Sequence, residues 1–151
     1  MNLVLLRSCV SVIVFGRKHV TYIFHLAEQD RWRRATSRNE IYFPPTFDQD
    51  GLTHAAPDMA ALVKVANQFY RQQQGPWLVL TMEIAHLQRM GVDLRFEPAS
   101  PVGHQTEHFA GSATLLFPHI YGGLTAQMVL REDALPQSAG GWFKAIDVFA
   151  E

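Results

Sequence analysis

The stretch Trp77-Leu78-Val79-Leu80-Thr81-Met82 narrows the possible folds more than any other. A strand that is apolar on both of its alternating faces is covered on both sides and belongs in the middle of a sheet. Gly75-Pro76 closes the segment before it. That segment reads as a helix: Asp58 stands at the N-cap, and Met59, Leu62, Val63, Ala66, Phe69 and Tyr70 form one apolar stripe.

The flanking segments are shorter. Val20 to Leu26 is β-branched and aromatic, which predicts a strand. Glu28 to Asn39 carries Trp32 and Ala35 on one side and Arg31, Arg34 and Arg38 on another, a short helix with a basic outer face. Phe43 to Gly51, with Pro44-Pro45 and Asp50-Gly51, reads as a loop, and Leu52 to Ala55 as a short strand. Ile84 to Met90 is a helical turn stopped by Gly91, and Val92 to Glu97 alternates as a half-buried strand. Ala99 to Ala113 has no period and reads as a long loop. Leu115 to Phe117 starts a strand, Pro118 to Gly123 is a tight turn, and Ala126 to Leu130 is a further strand. The tail from Arg131 looks irregular. Strand, helix, strand, helix, then several strands predicts an α+β fold in a single domain over residues 20–151.

With 151 residues, 48% hydrophobic and 18% charged, the chain is neither disordered nor of low complexity. Thirteen Lys and Arg against fourteen Asp and Glu lack the basic excess of a general nucleic-acid binder. One cysteine, Cys9, excludes an internal disulfide and a cysteine-based zinc site, and points to a reducing, cytoplasmic compartment. Residues 1–19 read as an extra strand or an N-terminal extension. Their longest apolar run, Val12 to Phe15, is far short of the ~20 residues of a membrane span, so no membrane partner is expected. Arg7 interrupts any signal-like pattern.

Several polar residues stand where an apolar one is expected. His25 lies inside Tyr22-Ile23-Phe24-His25-Leu26, His54 inside Gly51-Leu52-Thr53-His54-Ala55, and Glu97 at the end of a strand. A strand has one face for the core and one that can look into a cleft, so two imidazoles and a carboxylate can line one site. Imidazole serves as acid, base or ribose ligand near neutral pH, and a carboxylate stabilises a cationic sugar. Taken singly, each histidine reads as a core or edge imidazole bonded to backbone, and Glu97 as a surface carboxylate paired with Arg95 or solvent. His104-Gln105-Thr106-Glu107-His108 has the spacing of inverted zinc peptidases, but Pro101, Gly103 and Gly111 deny it the helix that chemistry needs. No metal is therefore expected there, and the segment reads as a loop over a site or a solvated loop. Phe117-Pro118-His119-Ile120-Tyr121-Gly122 is aromatic enough to form a pocket wall. Arg31, Arg33, Arg34 and Arg38 read as a solvated helix face rather than a phosphate site. The glycine-rich dinucleotide, P-loop and serine-hydrolase signatures are missing.

Four of these segments together resemble the family called domain of unknown function 952. They are Tyr22-Ile23-Phe24-His25, Gly51-Leu52-Thr53-His54-Ala55-Ala56, Leu94-Arg95-Phe96-Glu97-Pro98 and Phe117-Pro118-His119-Ile120-Tyr121-Gly122. That family in turn is similar to the ADP-ribosyltransferase fold, nearest to RNA 2′-phosphotransferases. The resemblance implies a bent, split antiparallel β-sheet with two main helices that grips NAD. It implies catalytic roles for His25, His54 and Glu97, and cofactor contacts from His25, His54, His119 and Tyr121. Where the family carries Ser after the second-strand histidine, this chain has Ala55, so a hydroxyl near the nicotinamide ribose is missing. The function implied is an ADP-ribosyltransferase-like, NAD-binding enzyme that passes a ribosyl group to an acceptor. The alternative is a small-molecule enzyme of specialised metabolism that uses the same histidines for acid–base chemistry without NAD, and a third is a non-catalytic binding module. The partner expected in each case is a small molecule or nucleotide.

Overall fold

The computed structural model describes residues 21–105 and 111–150. The N-terminal segment read as a strand or extension therefore lies outside the described residues, as does His108.

Two three-stranded antiparallel sheets form the frame. In the first, β3 (Trp77–Glu83) lies between β1 (Tyr22–Glu28) and β6 (Arg131–Leu135). In the second, β5 (Leu116–Ile120) lies between β2 (Thr53–His54) and β4 (Leu94–Pro98). The fold is α+β, and β3 is the central strand its sequence predicts, buried on both faces from Trp77 to Met82. One face carries Ile23, Ala27, Leu78, Leu80 and Met82, packed with Trp32 of α1 (Gln29–Ser37). The other carries Phe24, Trp77 and Val79 under Leu62 and Ala66 of α3 (Met59–Phe69). Short helices α2 (Phe47–Asp50) and α4 (Ile84–Arg89) complete the set.

Among the described residues, the sheets are joined by the backbone bridge of Phe24 and Ala56. Phe24 donates to the Ala56 carbonyl at 3.0 Å and accepts from the Ala56 N–H at 2.7 Å. Beyond Phe24, β1 leaves the second sheet, and the fork so formed holds the site.

Four readings of the sequence are corrected. Pro118, His119 and Ile120 do not form a turn; they continue β5. A proline is admitted there because β2 is so short. Ala55 N–H donates to the Pro118 carbonyl at 3.0 Å, and the reciprocal bond is the one proline cannot make. Ala126 to Leu130 is not a strand: residues Ala126–Met128 form a 3-10 turn, and the strand comes later, as β6, where an irregular tail was expected. Arg131, Glu132 and Asp133 hid it, because an edge strand tolerates charge that an apolar alternation would not show. Lastly, the Phe43 to Gly51 loop contains α2, closed by Gly51 at φ 70°.

Candidate active site

The fork encloses a cavity of about 450 Å³. Its walls come from β1, β2, β5, α3, the Pro44–Gln49 segment and the 99–105 loop. Among the described residues, four histidines line it, His25, His54, His104 and His119. Leu62, Val65, Phe69, Tyr70 and Phe117 supply apolar walls. Glu28 and Asp48 line it as well, and no Lys or Arg does among the described residues.

His54 and His119 face each other across the β2–β5 ladder. Because Ala55 and Pro118 are the hydrogen-bonded pair, His54 and His119 are the neighbouring non-bonded pair, in which antiparallel side chains approach most closely. Their rings meet edge to face with centroids 5.3 Å apart. Each imidazole is held from behind by a carboxylate. His54 Nε2 donates to Asp50 Oδ2 at 2.8 Å, and His119 Nδ1 donates to Glu97 Oε2 at 2.8 Å. Among the described residues, nothing bonds to Nδ1 of His54 or to Nε2 of His119. Burial pushes the His54 pKa down, against the opposing pull of Asp50. The Glu97 carboxyl is held below its ordinary range, first by the His119 hydrogen bond and then by that of Tyr121.

Asp50 is also a tether. Both of its oxygens accept the Gly103 N–H, at 3.1 and 3.0 Å, and Gln49 Nε2 donates to the Gly103 carbonyl at 2.8 Å. The described part of the 99–113 loop is thus fastened over the cavity by the helix that orients His54.

His25 is the most constrained of the group. A carbonyl only accepts, so Nδ1–H donates to the His54 carbonyl at 2.6 Å, and Nε2 accepts from the Tyr42 hydroxyl at 3.2 Å. Burial lowers its pKa to about 4, which leaves a neutral ring with both nitrogens engaged by protein. Tyr42 is itself buried, and burial pushes its hydroxyl pKa upward.

The sequence-predicted residues therefore divide. His25, His54 and His119 line the cavity, while Glu97 and Tyr121 do not. Glu97 stands behind His119 and accepts the Tyr121 hydroxyl at 2.8 Å. The pairing of Glu97 with Arg95 is replaced: Arg95 bonds both oxygens of Asp93 and lies over the Tyr121 ring, 4.1 Å from its centroid. Sequence reasoning missed Asp50 and Tyr42. Asp50 had a signal, its spacing of four residues from His54; Tyr42, in a segment without pattern, had none. His104 reaches the cavity, but no group of three or more His, Cys, Asp or Glu suited to a metal occurs among the described residues. Among those residues, too, no helix is long and apolar enough to cross a membrane.

Three solved structures are similar over most of their length. The crystal structure of protein CC0527 from Caulobacter crescentus matches with a TM-score of 0.62 at 23% identity, covering 82% of this chain and 94% of that one. A double mutant of CC0527 matches with a TM-score of 0.62 at 24% identity, over the same shares of both chains. The solution NMR structure of CC0527 gives 0.57 at 22%, covering 80% and 89%. At these identities the likeness is one of fold. No curated protein matches the chain. Residues 26–132 match the family described as Protein of unknown function (DUF952), a span that takes in both dyads, all of β2 to β5 and part of β1 and of β6, and begins one residue after His25. The chain belongs to the DUF952 family.

Proposed function

We propose that this chain is a small-molecule enzyme in which His54 and His119 perform acid–base chemistry on a ligand held in the forked cavity. The observation that carries this is the pair of dyads: two facing imidazoles, each with one nitrogen bonded to a carboxylate and the other unbonded among the described residues. A carboxylate behind an imidazole fixes its tautomer and stabilises its protonated form, leaving the opposite nitrogen to exchange a proton with substrate. Two such groups facing one space supply an acid and a base in the same turnover. His25 is then a positioning residue, holding the main chain of His54 in place. Acidic Glu28 and Asp48 in the lining, without Lys or Arg among the described residues, favour an uncharged or cationic ligand over a polyphosphate. A single cysteine supports a reducing, cytoplasmic setting.

A second reading has its own support. His119 connects Glu97 to the cavity wall, and a carboxylate so placed suits the ribosyl cation of ADP-ribosyl transfer from NAD. The ADP-ribosyltransferase-like fold and the likeness to RNA 2′-phosphotransferases belong to this reading, with Tyr121 and the histidines near the cofactor. Ala55 and the missing Lys and Arg weigh against it.

Calorimetry with NAD and ADP-ribose at millimolar concentration, beside a thermal-shift screen of neutral and amine metabolites, separates the two. We expect no NAD heat and a hit outside the nucleotides. Turnover of that hit should fall about 100-fold or more in His54→Ala and in His119→Ala. NAD binding, with Glu97→Gln slowing glycosidic cleavage at unchanged affinity, replaces the first reading with the second.

A further inference from the structure

The far end of the cavity is built from different chemistry. Glu28 lies three residues along β1 from His25, about 10 Å at the rise of a strand. It stands directly opposite Trp77 in the β1–β3 register, so the carboxylate and the indole leave the sheet on the same face. The Tyr70 ring lies 5.4 Å from Trp77 with planes tilted by 56°, making two walls of a corner. Phe143 packs edge-on behind the indole at 5.7 Å and fixes it. A smaller recess of about 110 Å³ opens here, lined by Glu28, Asp30, Gln73 and Trp77 among others.

Glu28 is only partly exposed, yet no hydrogen bond or cation meets its carboxylate among the described residues. Its charge contributes to the upward pKa shifts of both Tyr42 and Tyr70, after their burial. Arg71, adjacent to Tyr70 in the chain, does not neutralise it, since that guanidinium is turned onto the Trp142 ring at 3.4 Å. A half-buried carboxylate beside two aromatic faces matches one ligand chemistry. The rings attract a cation through their quadrupoles, and the carboxylate supplies the countercharge.

We infer that the Glu28–Tyr70–Trp77 corner is a subsite for an organic ammonium group. The inference rests on the reading of the cavity as a substrate site and adds the substrate class: an amine whose cationic nitrogen sits at the Glu28–Trp77 end of the cavity while the rest of the molecule reaches toward the histidine dyads.

The probes are tetramethylammonium and n-butylammonium, set against neutral n-butanol and anionic butyrate. The full chain carries 15N-labelled tryptophan, and Trp77→Phe identifies the Trp77 indole resonance. Either ammonium should move that resonance saturably in the millimolar range, and butanol and butyrate should not. Glu28→Gln should weaken ammonium binding about tenfold, and Tyr70→Leu about fivefold. Tyr70→Leu carries the test if Glu28→Gln does not fold. Butanol or butyrate binding as tightly as the ammonium ions, no saturable shift in the unmodified chain, or affinity within twofold in a folded Glu28→Gln overturns the subsite. His54→Asn separates the two claims: it abolishes turnover under the acid–base reading and leaves ammonium binding unchanged. Failure of ammonium binding with dyad-dependent turnover intact removes the subsite alone.

Discussion

A neutral imidazole at position 25 donates from one edge and accepts from the other, which no apolar residue of its volume does. Removing either partner orphans a buried group. Tyr42→Phe should therefore lower unfolding free energy by about 1–3 kcal/mol, the cost of an unmet buried acceptor, measured by urea denaturation. An unchanged midpoint and slope would show that the 3.2 Å contact contributes nothing. The sequence marked His25, His54 and Glu97 as polar intrusions into strands and read His119 in an aromatic turn; the three histidines line one cavity, and Glu97 does not. Their partners were harder to see. Asp50 was not singled out, and Glu97 was singled out without its partner, because which histidine a carboxylate meets is decided by the fold. Tyr121 looked like a pocket wall, but its hydroxyl is spent on Glu97, outside the cavity.

Elements with local signals were legible, and those defined by partners were not. Asp58 caps α3 as its sequence predicts, accepting the Ala61 N–H at 2.7 Å. Asp58→Ala should cost about 1 kcal/mol, read as a lower melting temperature, with Asp58→Asn or Asp58→Ser recovering most of it. No loss on Asp58→Ala would mean that α3 is held by packing alone. β3 was legible because both its faces are buried, and Trp32 and Ala35 were placed correctly on the inner side of α1. β5 was misread at Pro118 because proline signals a turn unless the neighbouring strand ends opposite it, which is a tertiary fact. β6 was misread because its pairing with β3 through Trp77–Leu135 to Thr81–Arg131 supplies what its side chains do not.

Across the whole molecule, the groups whose pKa is lowered around the cavity act in one direction below neutral pH. His25 has a folded pKa of about 4 against 6.5 unfolded, so the unfolded chain binds the proton first. Its contribution is complete above pH 6.5 and is lost as pH falls through 4, about 3 kcal/mol in all. The lowered pKa values of His54 and Glu97 act with the same sign. Urea midpoints should thus fall steadily from pH 7 to pH 4, and His25→Asn should flatten much of that slope. A flat profile in the unmodified chain would contradict a neutral buried His25. The bridge between the two sheets has a consequence of another kind. Since Phe24 turns its main-chain N–H and carbonyl toward Ala56, strand alternation turns those of Leu26 the same way, into the fork, where no strand follows among the described residues. A stretch of bare peptide backbone thereby forms part of the cavity wall. Short of proline, no substitution removes a peptide N–H, so a change in what this cavity holds comes through the side chains around that fixed rail.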